Sequence, residues 1–238
     1  MTTRETALQS FQDAHDPTAE LLRKGTGSLP RRWVDYVSDD GQTRIRAAEA
    51  ELEFLGRYLP KLAEVLNKIT VDATLLRSSV HGIVRAYIVQ LDSELFVDWS
   101  RAPRAKFDTP GSEAWTLIEE NGPEVLRWIY QNLMDGLTDL YGFGGFKTAS
   151  ELRTLEEEQE VYAEKPWFAD FASQNDTSKI VELFSSGGGG YILLDLSQDQ
   201  TAEANPAGLY VDLNTSDPPQ TVHLFAYLDT WSSIALGE

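Results

Sequence analysis

A long apolar stripe between Ile45 and Ile69 is the strongest constraint that the sequence places on the fold. Its members recur every three or four residues: Ile45, Ala48, Leu52, Leu55, Leu59, Leu62, Leu66 and Ile69. Charged residues fill many of the positions between them, so the spacing predicts an amphipathic helix with one buried face. Pro60 lies inside the stripe. Because proline lacks the amide hydrogen that a helix interior needs, it should kink the helix or split it in two.

The segment that follows the stripe is harder to assign. We predict a second, weaker helix from Val71 to about Val80, ending near His81 and Gly82, where glycine can adopt the left-handed conformation of a helix cap. Residues 83–91 are rich in β-branched and aromatic side chains but also follow helical spacing. Periodicity does not separate strand from helix in such a run, and we favour a continuation of the helix.

A polar linker containing prolines and basic residues lies at 99–111 and predicts a domain boundary. The first thirty residues have few apolar anchors. We therefore predict three regions: a flexible N-terminal segment at 1–30, a helical region or insertion at 31–110, and an α+β region at 111–238.

The last third of the chain contains segments whose composition predicts β-strands. Residues 180–184, 191–196 and 209–213 are apolar runs rich in β-branched and aromatic side chains. Four consecutive glycines lie between the first two runs: Gly187, Gly188, Gly189 and Gly190. A phosphate-binding loop needs a lysine and a hydroxyl, or a GxGxxG spacing that enters a helix, and neither is present. We predict a structural turn between two antiparallel strands.

The charge of the chain is strongly negative and unevenly placed. The formal net charge is -18, and the part from Glu151 to the C-terminal end contains 16 acidic and 3 basic residues. Such a surface repels nucleic acid and anionic membranes and attracts a basic protein. We therefore predict a protein partner, no nucleic acid and no membrane. The alternative is that the acidity serves only solubility.

Residues for catalysis are scarce. The absence of cysteine excludes disulfide scaffolds, thiolate metal sites and cysteine nucleophiles. His15, His81 and His223 are far apart in the sequence and form no metal-binding motif, and no serine lies in a GxSxG motif. Carboxylate pairs such as Asp195 with Asp212 are common in so acidic a chain. We predict a non-enzymatic protein with no catalytic residues, no cofactor and no metal.

Two groups of aromatic residues indicate a different kind of site. They are Trp167, Phe168 and Phe171 beside Asp170, and Tyr141, Phe143 and Phe146 among glycines. Aromatic anchors within a charged rim are typical of protein interfaces. The alternative, which burial preferences favour, is that these rings fill the core.

A series of short motifs extends from about Gly136 to the C-terminal end. It comprises the glycine-aromatic run at 141–146, Ser150-Glu151-Leu152, Trp167-Phe168, the strand–glycine–strand run at 180–196, the segment 208–213 and the closing helix at 224–231. In this order the motifs resemble the SUKH superfamily, which includes yeast cell-wall synthesis regulators and many bacterial immunity proteins. Leu29-Pro30 with Trp33 and Tyr36 resembles the usual opening of the family. Either the domain carries a large insertion after it, or a separate helical domain precedes a shorter core.

The resemblance implies an α+β fold with a mostly antiparallel sheet flanked by helices, together with a helical N-terminal region or insertion. It also implies a binding protein, most often one that neutralises a toxin by direct contact. The toxins of the family include nucleases, whose substrate-binding faces are basic. An acidic inhibitor is attracted to such a face.

The candidate partner-binding residues are surface groups near the turns: Tyr141, Phe143, Glu156, Glu157, Glu158, Trp167 and Asp170. Two other functions stay open, because a resemblance in fold does not fix function. One is a structural or assembly protein of a mobile element, and the other is a hydrolase with an unrecognised acidic site. The lack of a signal-peptide pattern predicts a cytoplasmic location. The partner and the oligomeric state are open.

Overall fold

Two mostly antiparallel sheets flanked by helices build an α+β fold, which confirms the predicted fold class. The structure is a computed structural model that describes residues 2–25, 29, 31–103, 111–138, 144–197 and 206–236. Within these ranges, no helix is both long enough and apolar enough to cross a membrane.

The described helices of the N-terminal half are α1 (Thr3–Ala14), a 3-10 helix (Arg31–Val37), α2 (Gly41–Leu55) and α3 (Pro60–Ile69). The residues just before α1 and α2 cap these two helices with their side chains. The Asp40 carboxylate accepts the amides of Gln42 and Thr43, which have no partner within α2. Pro60 splits the apolar stripe into two helices and occupies the first turn of α3, where its missing amide hydrogen has no consequence.

The first sheet is formed by four antiparallel strands in the order β1-β2-β3-β4. They are β1 (Glu20–Leu21), β2 (Thr70–Ser78), β3 (Gly82–Leu91) and β4 (Glu94–Arg101). The helices predicted at 71–80 and 83–91 are therefore wrong, and the region at 31–110 is not wholly helical. Gly82 has a φ of +72° and begins β3 after the turn that joins the hairpin, instead of capping a helix.

The periodicity of β3 is ambiguous because both faces of this strand are covered. Tyr87 and Val89 belong to the main core, whereas Val84 and Ala86 pack with Phe11 of α1 on the other face. A strand that is buried on both faces has no polar side, so it lacks the alternation that identifies a strand in a sequence. Phe11 is only 1% exposed, so part of the segment predicted to be flexible is packed against this sheet.

The C-terminal half carries the second sheet and the remaining helices. Its helices are α4 (Glu113–Asn121), α5 (Glu124–Trp128) continued by a π-helical turn (Ile129–Leu133), α6 (Gln159–Tyr162), α7 (Phe168–Gln174), a 3-10 turn (Thr177–Lys179) and α8 (Leu224–Ala235). Its strands are β5 (Leu137–Thr138), β6 (Gly145–Phe146), β7 (Arg153–Thr154), β8 (Ile180–Ser185), β9 (Gly190–Asp195), β10 (Ala207–Asp212) and β11 (Gln220–His223). The order is β11-β10-β9-β8-β6-β5, and β7 also pairs with β8.

The four glycines connect β8 and β9, which pair antiparallel as predicted. Gly187 and Gly189 have φ values of +70° and +96°, a conformation that other residues rarely adopt. The Asn214 side chain donates to the Gly188 carbonyl at 2.6 Å and holds the turn from the neighbouring β10–β11 connection. The turn is thus built by the backbone freedom of particular glycines.

One main hydrophobic core contains residues of both sheets. Leu75 of β2, Leu66 of α3, Leu183 of β8 and Leu228 of α8 all belong to it. The edges of the sheets also meet, because the amide of Trp99 in β4 donates to the hydroxyl of Thr138 in β5. The division at 99–111 into separate domains stays a prediction.

Candidate functional site

The structure separates the predicted partner-binding residues into different environments. Tyr141 and Phe143 lie outside the described residues. Trp167 is only 8% exposed and packs with Tyr162 and Phe171, so its assignment to the binding surface is corrected. Its large apolar ring is more stable in the core than in water, which is the alternative that its sequence context had left open.

An acidic segment joins β7 to β8 and contains the other predicted residues. We use this name for residues 156–176, which include α6 and α7 and contain seven acidic residues and one lysine. The lysine, Lys165, donates from its Nζ to the backbone carbonyl of Leu213. Its amine is therefore directed to the main chain and pairs with none of the acidic side chains of the segment.

Four carboxylates of the acidic segment are free to meet a partner: Glu156, Glu160, Glu164 and Asp170. All four residues are exposed, and within the described part of the chain their carboxylates accept no hydrogen bond and form no ion pair. Because no described cation is paired with these groups, their negative charge adds to the local electrostatic field, which solvent and salt screen.

The two remaining predicted glutamates have other surroundings. Glu157 is exposed, but its Oε2 accepts the backbone amide of Thr154 at 2.7 Å, and its own amide donates to the Thr154 hydroxyl at 3.2 Å. This reciprocal pair fixes the turn that begins the acidic segment. Glu158 is partly buried and lines a cleft. Of the run at 156–158, Glu156 alone has a carboxylate that is both exposed and unpaired.

The aromatic side chains of the acidic segment form a cluster against the second sheet. Tyr162 stacks on Phe168 at a centroid distance of 6.2 Å, and Trp167 meets Phe171 edge to face at 5.9 Å. These rings pack on Leu193 of β9 and its neighbours in the sheet. Aromatic pairs in these geometries add to the stabilisation from burial. The backbone that carries the exposed carboxylates is therefore fixed to the sheet by buried aromatic side chains.

A buried polar contact ties the same cluster to β8. The Tyr162 hydroxyl donates to Glu182 Oε2 at 3.1 Å, and Lys147 Nζ lies 2.6 Å from Glu182 Oε1. Burial raises the pKa of Glu182, and the Lys147 ammonium acts against this shift. Burial also raises the pKa of Tyr162, so its phenol stays protonated and remains a donor. The arrangement anchors α6 to the sheet.

Sequence reasoning missed Glu160 and Glu164. Together with Glu156 they form a series with a spacing of four residues, and this continuation of the acidic run was the available signal. The described residues contain no group of three or more histidine, aspartate and glutamate side chains that could hold a metal ion.

Comparisons with family models, with curated proteins and with solved structures find no match for this chain. The resemblance to the SUKH superfamily therefore stays a prediction that rests on the short motifs of the C-terminal half.

Proposed function

We propose that this chain is a non-enzymatic protein-binding module that neutralises a basic toxin, such as a nuclease, by direct contact in the cytoplasm. The observation that carries the proposal is the set of four exposed, unpaired carboxylates on the acidic segment: Glu156, Glu160, Glu164 and Asp170. The resemblance to a family of immunity proteins points in the same direction.

The physical basis of the proposal is electrostatic steering. A nuclease binds a polyanion, so its substrate-binding face carries a positive potential that a negative surface complements. The acidic segment contains seven acidic residues and one lysine, so the charge of Lys165 compensates only a small part of the negative field of the carboxylates. The acidic segment would occlude the basic face of the toxin and needs no chemical step to do so.

The aromatic cluster adds preorganisation. Tyr162 and Trp167 belong to the acidic segment and their side chains are buried, so the backbone that carries the carboxylates is ordered before a partner arrives. A rigid surface loses less conformational entropy on association than a mobile one, and this favours affinity.

The test is coexpression with the product of the gene directly upstream, followed by size-exclusion chromatography and a growth assay. A stable complex and rescue of growth are the expected results. Absence of both a complex and rescue would overturn the proposal.

A matched pair of variants tests the role of the acidic segment. Glu160→Lys with Glu164→Lys should slow association about tenfold at low salt, and the difference from the unmodified protein should shrink as salt screens the charges. Glu119→Lys with Glu120→Lys changes the net charge equally on exposed positions of α4. Equal association rates for the two double variants would contradict the assignment of the interface.

A further inference from the structure

A cleft of about 490 Å³ lies where the two sheets meet. Its walls include Trp99 and Arg101 from β4, His81 from the turn before β3, and Lys147 and Arg153 from the second sheet and its loops. Three cationic side chains thus gather at one place in a chain whose net charge is -18. Three carboxylates, those of Asp135, Glu151 and Glu158, line the same cleft, so an anion site depends on which of these charges are already paired within the protein.

Two of these cations converge on a single residue. Arg101 Nη1 donates to the hydroxyl of Ser150 at 2.8 Å, and Arg153 Nη1 donates to the Ser150 carbonyl at 3.0 Å. Ser150 therefore holds two guanidinium groups close together in the wall of the same cleft. The two positive charges repel each other. An anion bound near both guanidinium groups would be attracted by each of them and would offset this repulsion.

The protein itself compensates these charges only in part. Arg153 donates to the carbonyls of Ser150 and Leu152 and forms no ion pair with the described residues. Arg101 reaches Glu151 at 3.5 Å, a weak contact, and the other oxygen of Glu151 accepts from Thr148 at 2.7 Å. The Glu151 carboxylate is therefore shared between the Arg101 guanidinium and the loop that it stabilises through Thr148.

Two other carboxylates line the cleft, those of Asp135 and Glu158. Asp135 is 2% exposed and accepts the amide of Ala149 at 2.7 Å. Glu158 also lines the cleft, and Lys147 is paired with the buried Glu182. The two guanidinium groups at Ser150 thus remain the groups best placed to receive an anion.

His81 contacts Arg101 without changing the net charge of the cleft. Its Nδ1 accepts a hydrogen bond from Arg101 Nη2 at 3.0 Å, and burial, followed by the nearby Arg101 charge, lowers its pKa. The imidazole is therefore neutral at pH 7. The hydrogen bond from Arg101 to His81 fixes the orientation of the guanidinium and does not compensate its positive charge.

An aromatic wall borders the cationic groups. The rings of Trp99 and His81 lie 4.7 Å apart, and both residues line the cleft. The indole N–H of Trp99 is buried and has no hydrogen-bond partner among the described residues. A buried donor without an acceptor is unfavourable, so an acceptor atom in this cleft would be stabilised by it if it came within reach.

We propose that this cleft binds a small oxyanion, a phosphate or a carboxylate, through the guanidinium groups of Arg101 and Arg153. Guanidinium groups match the planar geometry of both anions and form charge-assisted hydrogen bonds with them. The site does not depend on the proposed binding of a toxin, because it uses the guanidinium groups of Arg101 and Arg153 and not the exposed carboxylates of the acidic segment.

The experiment is a titration of the full chain with inorganic phosphate and, separately, with benzoate, at constant ionic strength. Indole N–H signals in ¹H–¹⁵N spectra report on Trp99, assigned with Trp99→Phe, and calorimetry gives the affinity. Each probe is taken to about 10 mM, above the millimolar dissociation constants of weak sites. We expect a saturable shift of the Trp99 signal. Tighter binding of phosphate would identify a phosphoryl ligand, and tighter binding of benzoate a carboxylate attached to a ring.

Variants then locate the site. Arg153→Gln and Arg101→Gln should each weaken binding about tenfold, the effect of losing one charge-assisted hydrogen bond. Arg46→Gln is the matched control, because Arg46 is exposed and lines a different cleft beside α2. Arg153→Gln decides the matter if Arg101→Gln does not fold, since Arg153 bonds only to backbone carbonyls.

Three results would overturn the proposal. The first is the absence of saturable binding of either probe to the unmodified protein. The second is unchanged affinity in Arg153→Gln, and the third is an equal loss in Arg46→Gln, which would indicate a response to net charge alone.

Discussion

Arg85 of β3 donates a hydrogen bond to Glu51 of α2 in the interior of the protein, and their side chains are only 1% and 5% exposed. Glu51 also accepts from the indole of Trp33 and the hydroxyl of Tyr36, each at 3.0 Å. Arg85 donates in addition to Ser100 at 2.9 Å. One buried ion pair therefore connects α2, the 3-10 helix and two strands of the first sheet.

Removing the charge of Glu51 should destabilise the protein strongly. We expect Glu51→Gln to lower the free energy of unfolding by about 3–5 kcal/mol, because Arg85 would remain buried without a counter-charge. Glu49→Gln, an exposed position on the same helix, should change it by less than about 0.5 kcal/mol. Urea denaturation followed by circular dichroism measures both. Similar stability of the two variants would show that the ion pair does not hold α2.

A second prediction concerns a helix cap that joins distant parts of the chain. Asp229 of α8 accepts the amides of Lys61 and Leu62 at 3.2 and 2.9 Å, in the first turn of α3. Asp229→Ala should lower the free energy of unfolding by about 1–2 kcal/mol, as the loss of an N-terminal cap does. Asp217→Ala, at an exposed position between β10 and β11, is the control. Thermal unfolding that shifts equally in both variants would argue against the cap.

The third prediction is a pH dependence of stability that arises from His15 and His81. Burial lowers the pKa of both imidazoles, and the Arg101 charge lowers that of His81 further. Below the unfolded-state pKa of 6.5, the unfolded chain therefore binds more protons than the folded chain until the lower folded-state pKa is reached. Stability should fall in this window as the pH falls, and because both imidazoles are only half-buried, solvent screening keeps the effect well below the limit of about 1.4 kcal/mol per pH unit for each histidine.

The measurement is urea denaturation of the unmodified protein, His15→Gln and His81→Gln at pH 7.5, 6.5 and 5.5. Each variant should show a smaller loss than the unmodified protein. His223→Gln is the control, because His223 is exposed. Burial of Glu182 raises its pKa and gives a dependence of the opposite sign, so the difference between variants is the informative quantity. An identical slope in all four proteins would contradict the prediction.

The fourth prediction separates two neighbouring glycines of the β8–β9 turn. Gly189 has a φ of +96°, and an added Cβ would lie 2.8 Å from the Asn214 side chain. Gly189→Ala should therefore lower the free energy of unfolding by about 1–2 kcal/mol. Gly188 has no positive φ, and its nearest contact would be 3.8 Å, so Gly188→Ala should be neutral or slightly stabilising. Equal shifts of the thermal midpoint in the two variants would contradict the prediction, because they would show that the positive φ of Gly189 is not required for stability.

The elements that could be predicted are those whose signal is local. The apolar stripe identified α2 and α3, and Pro60 marked the break between them. The strands around the four glycines were likewise found, because a turn signal separates two apolar runs. In contrast, β2 and β3 could not be assigned, since β3 is covered by α1 on one face and the main core on the other.

The candidate sites depended even more on tertiary contacts. In the sequence, the three glutamates at 156–158 are indistinguishable. In the structure, Glu157 fixes a turn and Glu158 lines a cleft, so that of the three Glu156 alone is both exposed and unpaired. Arg101 and Arg153 are far apart in the sequence, and no spacing rule predicts that both bond to Ser150.

The helices on either side of Pro60, the glycine turn and the concentration of acidic residues after Glu151 were predictable from the amino-acid sequence. These properties follow from periodicity, backbone freedom and composition, which act within a few residues or by simple summation. The tertiary structure decided which acids are available, that Trp167 is buried, and that Arg101 and Arg153 share one cleft. These properties follow from contacts between distant segments, because burial and hydrogen bonding, and not residue type alone, decide whether a charge is free to act.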